Sequence, residues 1–247
     1  MHSKVVAIWG SPGSGKTTLA IKIAKILAAR KQNIIIVGCD NIVPFLPLVH
    51  PTGKDFKSLG SLLALPTLTE TAIMQHCTPY VNQYIALLGY KKNDNPLTYA
   101  EYNQTKARDL IFKLRKIADY ILIDCSSHLV GSPLSLAAIE MADETFRVAT
   151  PSIRSLLYFE SMKKILEQKT EFKYGQHINI INDAHAEQDV DLVVQLIGGS
   201  SSYILPHVPE LLTQYDEGKI YDTVYGKSAK VFEMGIETMV QEVFSNE

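Results

Sequence analysis

The sequence predicts an α/β protein: one domain, residues 1–247, built as a three-layer, doubly wound, mostly parallel sheet. Three observations lead there. Short all-apolar runs recur along the chain, as expected of strands buried on both faces. Between them lie stretches whose apolar residues repeat at helical spacing. No Pro/Gly/Ser-rich linker, internal repeat or charge block divides the chain.

The elements follow in order. "KVVAIW" (4–9) reads as a strand that stops at a glycine-rich turn. In residues 16–30, Leu19, Ile23, Ile26 and Leu27 recur as on one helix face. "NIIIVGCD" (33–40) is a second strand that runs into an acid. Further strands are expected at 84–89, 120–124, 144–150 and 178–182, with helices over 98–117, 133–142, 153–168, 187–197 and 227–243. Residues 41–80 carry Pro44, Pro47, Pro51, Pro66 and Pro79, which predicts a loop with one or two short helices. In such a sheet, ligand chemistry gathers at the carboxyl ends of the strands.

Composition narrows the function classes. A formal charge of -2, with no Lys/Arg stripe, argues against a dedicated nucleic-acid binder, so nothing supports DNA as a partner. No apolar run reaches spanning length, and the first residues do not read as a signal peptide. Cys39, Cys77 and Cys125 form no CxxC pair, which fits a reduced, cytoplasmic protein with buried thiols beside the strand ends. The C-terminal segment has apolar residues at helical spacing (Val231, Phe232, Ile236, Met239, Val240, Phe244), but its polar face is acidic. It is therefore no basic membrane-targeting helix and should pack on the sheet or on a partner. Tyrosines at 80, 84, 90, 99 and 102 mark either a contact surface or a subdomain core.

The strongest signal is "GSPGSGKTT". Gly10 and Gly15-Lys16-Thr17 satisfy G-x-x-x-x-G-K-[ST] between a predicted strand and a predicted helix, which specifies a P-loop NTPase fold. Glycines let the backbone turn its N–H groups onto phosphate oxygens, so Gly10, Ser11, Gly13, Ser14, Gly15, Lys16, Thr17 and Thr18 are the candidate phosphate-binding positions. The helix beginning here adds its positive end. Lys16 supplies a mobile charge for the β and γ phosphates, and the Thr17 hydroxyl is a ligand for Mg²⁺. A dinucleotide fingerprint is excluded, because the glycines run G-x-x-G-x-G. Two acids would complete the catalytic set with Lys16. Asp124 ends "YILID" and would hold Mg²⁺ with Thr17, while Asp40 ends "NIIIVGCD" and would orient water or support the metal. His128, just beyond, reads as a solvated loop histidine.

The loop, "NIIIVGCD" and "ADYILIDCSSHLVGSPLSLAAIEMADETFRVATPS" together resemble the MinD/ParA class of deviant-Walker ATPases, from Val5 to about Ile220. The resemblance implies ATP/ADP and Mg²⁺ as cofactors and a nucleotide-linked homodimer. It also implies slow or partner-stimulated ATP hydrolysis, with Asp124 as the Walker B acid and Asp40 as the switch I aspartate. Asn182 stands where the family reads adenine, and Pro206 and His207 fall in the loop that lines the base. Two departures stand out. Ser11 occupies the place of the lysine that reaches the partner's nucleotide, and Gly38 replaces the first acid of the family's DxD strand end. Similar losses occur in the TadZ/CpaE-like branch, which implies a protein partner in a pilus or secretion machine that could recruit the chain to a membrane-associated complex. Two other readings stay open: a P-loop small-molecule or nucleotide kinase, disfavoured by five scattered arginines, and an ATP-binding scaffold with little hydrolysis.

Overall fold

A computed structural model describes residues 3–50, 56–169, 177–198 and 201–244. Eight strands form one sheet: β1 (Lys4–Gly10), β2 (Ile34–Gly38), β3 (Thr78–Tyr80), β4 (Asn82–Gly89), β5 (Tyr120–Asp124), β6 (Glu144–Ala149), β7 (Ile178–Ala184) and β8 (Ser201–Pro206). Their order is β3-β4-β2-β5-β1-β6-β7-β8. All pairings are parallel except that of β3 with β4.

Alternation along β1 shows how the layers form. Val6 and Ile8 join one core, while Val5, Ala7 and Trp9 join the other, because successive side chains leave opposite faces of a strand. On the first face pack α1 (Lys16–Ala29), through Leu19, Ile23 and Leu27, and α10 (Lys227–Phe244), through Phe232, Ile236 and Met239. On the second face pack α5 (Gln104–Leu114), α6 (Pro133–Met141), α7 (Ile153–Lys169) and α8 (Val190–Ile197). The architecture is the expected three-layer α/β fold. Trp9, fully buried behind the glycine-rich loop, meets Phe159 edge-on at 5.3 Å between ring centroids. Such a pair adds about 0.5–1.5 kcal/mol beyond its buried area.

Several expectations change. Among its described residues the stretch 41–80 holds three short helices, α2 (Leu46–Val49), α3 (Leu59–Leu63) and α4 (Glu70–His76), and the edge strand β3, while Pro51 lies outside the described residues. The helix expected from 98 begins at Gln104, because the Asn103 side chain caps it by accepting from the Lys106 N–H. Strand β8 and α9 (Pro209–Asp216) were not expected at all. Tyr80 and Tyr90 are buried and Tyr90 donates to Tyr102, which favours a subdomain core over a contact surface for those two tyrosines. In α10 the expected apolar face is buried except for Val231, which is half exposed. Among the described residues, no helix is long and apolar enough to cross a membrane.

Candidate nucleotide site

Strand β1 lies between β5 and β6, where the chain's progress across the sheet reverses, so the loop after β1 opens at the switch point. Gly10 is packed so closely that a Cβ would sit 2.0 Å from the Val148 carbonyl oxygen. Gly15 has φ +90° and caps α1, and a Cβ there would meet Asn182 Nδ2 at 2.3 Å. With Gly13 also left-handed, the loop takes a path that L side chains resist.

Three expected residues converge at the loop. Lys16 Nζ donates to Ser127 Oγ at 2.7 Å, to the Ser11 carbonyl at 3.1 Å and to the Gly10 carbonyl at 3.3 Å. Thr17 Oγ1 donates to Asp124 Oδ2 at 2.5 Å. The parallel register sets Asp124 opposite both Ile8 and Gly38, so its carboxylate emerges beside the loop. Burial pushes the Asp124 carboxyl up to about 6, opposed by Lys16 and by the Thr17 hydroxyl. Burial also lowers the Lys16 ammonium, with Asp124 acting against it. A buried acid held by a hydroxyl, beside a cation whose hydrogen-bond acceptors are all neutral, suits a magnesium-bound phosphate chain. Thr17 and Asp124 would hold the metal, and Lys16 the phosphates.

Asp40 lines the same cavity, but its Oδ1 accepts from the Ile42 and Val43 N–H groups and holds its own turn. Gly38, where the resemblance implies an acid, is closely packed. A Cβ at Gly38 would come within 2.8 Å of Leu46 Cδ1, and the same Leu46 lies against Gly89. Leu46 fills the space that a side chain at 38 would need.

The cavity, about 520 Å³, is lined by Gly13, Gly15, Lys16, Thr17, Thr18, Asp40 and Asp124 together with Asn182, Pro206 and His207. Asn182 Nδ2 donates to the Ser14 carbonyl at 2.9 Å, so β7 is tied directly to the phosphate loop. Gly10, Ser11 and Ser14 lie behind that wall. Ser11 is 2% exposed, and its hydroxyl is 2.7 Å from Ser155 Oγ on α7; the buried Ser14 hydroxyl has no hydrogen-bond partner among the described residues. His128 is exposed, as expected. Cys39 and Cys125 are buried, and burial pushes the Cys39 thiol well up, which suits inert thiols.

Sequence reasoning missed Ser127, Phe45 and Tyr215. Ser127 bridges Lys16 to the Gly10 carbonyl and is held from α7 by Tyr158, whose hydroxyl donates to the Ser127 carbonyl. Phe45 and Tyr215 stack in parallel, centroids 4.0 Å apart, and both line the cavity. The sole sequence signal for Ser127 was its place three residues after Asp124, and the aromatic pair had none.

A glycine-rich loop between the central strand and a helix, facing an acid on the neighbouring strand, defines the P-loop class of folds. Within it the chain has the fold of the MinD/ParA ATPases. MinD from Pyrococcus horikoshii OT3, solved with Mg-ADP, superposes with a TM-score of 0.71 at 18% identity, covering 96% of each chain. A ParA family ATPase from Chlorobium tepidum TLS gives 0.73 at 17% identity, over 96% of this chain and 98% of that one. A chain of the MinC:MinD cell division protein complex from Aquifex aeolicus gives 0.70 at 14%, over 99% and 98%. No family model and no curated protein sequence matches the chain.

Proposed function

We propose that this chain binds Mg·ATP in the cavity and works as a nucleotide-dependent switch, with slow or partner-stimulated hydrolysis. The observation that carries the reading is the meeting of Lys16, Thr17 and Asp124 at the ends of β1 and β5. The apolar wall around Phe45 and Tyr215 suits a flat purine, and Asn182, Pro206 and His207 border it. Bound Mg²⁺ would supply charge neutralisation at the phosphates. The chain's own groups position them: Lys16 as point charge, the loop N–H groups as donors, and Asp40 beside the attacking water. The ordered segment after Asp40 would then change shape with the nucleotide and alter the affinity for a second copy or a protein partner.

The likeness to MinD and ParA favours a role in positioning, assembling or partitioning a cellular machine. A pilus or secretion machine of the TadZ/CpaE kind rests on the Ser11 and Gly38 departures alone. A kinase reading is weakened because, among the described residues, no arginine lines the cavity, and Arg108 and Arg115 pair with Glu140 and Asp143 instead. Ser11 gives the scaffold reading its own support, since a buried serine bonded to Ser155 offers no charge to a partner's nucleotide.

Calorimetry with Mg·ATP, Mg·ADP and the Lys16→Ala variant tests the site. Binding to wild type and a loss of about tenfold to a hundredfold in the variant are expected, the worth of hydrogen bonds to a charged group. Size-exclusion chromatography with ATP, with ADP and without nucleotide tests the switch, and identical elution in all three would sink it. Equal turnover by wild type and Asp40→Ala would favour the scaffold.

A further inference from the structure

At the β7–β8 rim of the cavity, the sheet register brings three metal-ligating side chains together. Pairing between β7 and β8 runs through Ile181 and Ile204, then shifts to Ala184 and Pro206. Asp183, within that irregularity, has φ +62°, the left-handed region that Asp and Asn enter more readily than other L residues. The His207 N–H donates to the Ala184 carbonyl at 2.9 Å, so His207 lies across from the residue that separates Asp183 and His185. Their ligand atoms all lie within 4.8 Å of one another. His207 Nδ1 is 2.6 Å from Asp183 Oδ1, and the His185 and His207 rings stack with centroids 4.1 Å apart. Gln188 braces the far side: its Oε1 accepts from the His185 N–H and its Nε2 donates to the Pro151 carbonyl.

We propose that Asp183, His185 and His207 form a binding site for a divalent transition-metal ion of the zinc class. Two imidazoles and one carboxylate form a donor set that suits zinc, cobalt or nickel and is a poor match for magnesium, which prefers oxygen. The site is therefore distinct from the Thr17–Asp124 pair. Tetrahedral bonds of about 2.0 Å require donors about 3.3 Å apart, so side-chain rotations that open the 2.6 Å contact between His207 and Asp183 and close the other gaps by at most about 1.5 Å complete it. The side chains of Asp183 and His207 are 51% and 38% exposed, which leaves an open entry path and little desolvation to overcome. Three ligands leave a fourth position for water. The ion would pin the end of β7 to the end of β8, fixing the rim that Asn182 ties to the phosphate loop. None of the three ligands belongs to the Thr17–Asp124 pair, so ion binding here is measurable without nucleotide.

The experiment is a calorimetric titration of EDTA-stripped, nucleotide-free protein with Zn²⁺, with Co²⁺ absorption as a second probe. One ion per chain is expected, with micromolar or tighter affinity and visible Co²⁺ bands of a nitrogen- and oxygen-ligated ion. Saturation should raise the melting temperature by about 5 °C or more through mass action. His185→Gln should weaken binding by about tenfold or more and abolish the melting shift, while keeping the wild-type melting temperature in EDTA. Asp183→Asn should weaken binding as well, and Cys77→Ser should leave it unchanged. A millimolar affinity in wild type, equal binding by His185→Gln, or loss of binding in Cys77→Ser would each overturn the proposal.

Discussion

Ser11 and Asp124 carry the sharpest consequences at the scale of single residues. Ser11 stands where the sequence resemblance implies a lysine, which invites the idea that Ser11→Lys would add a function. Its hydroxyl instead lies buried against Ser155. A lysine there has no room, so Ser11→Lys should lower stability by about 1–3 kcal/mol without raising ATP turnover, as urea denaturation and a phosphate-release assay would show. Asp124 predicts a pH dependence. Its carboxyl is raised from 3.8 to about 6 in the fold, so between these values the folded chain keeps a proton that the unfolded chain has released. Stability therefore falls as pH rises through that window, and the cost is complete above it. Asp124→Asn should stabilise the magnesium- and nucleotide-free protein at neutral pH by up to about 3 kcal/mol, at about 1.4 kcal/mol per unit. The advantage should fade towards pH 4, and a gain of the same size at both ends would contradict the assignment.

At the scale of elements, legibility followed burial. Strands β1, β2 and β5 are apolar on both faces and could be read directly, and β6 is buried although Thr145 and Arg147 share one of its faces, whereas β3 has three residues with a proline in the middle. None of the residues of α9 is buried, which explains why no periodic pattern announced it. The phosphate loop was legible because its chemistry is local. Ser127, Phe45 and Tyr215 were not, because each acts on groups far away in the chain that only the folded sheet brings near. Tyr215 offers a test of that long-range wall. Removing its ring in Tyr215→Ala takes away the stack on Phe45 and should weaken Mg·ATP binding about threefold to tenfold in a calorimetric titration.

For the whole molecule, α10 closes the layer over α1 and β8, with Phe232 almost fully buried. Phe232→Ala should cost about 3–5 kcal/mol in urea denaturation, and a change below about 1 kcal/mol would show that α10 is not part of the cooperative core. The antiparallel strand β3 has a different kind of consequence. It ends the sheet with three residues, Pro79 offers no N–H, and Val81 immediately turns the chain at φ +57°. A short edge interrupted by proline is a poor template for another strand. On that side the sheet offers another copy little to pair with, so extension of the sheet by strand addition is disfavoured there.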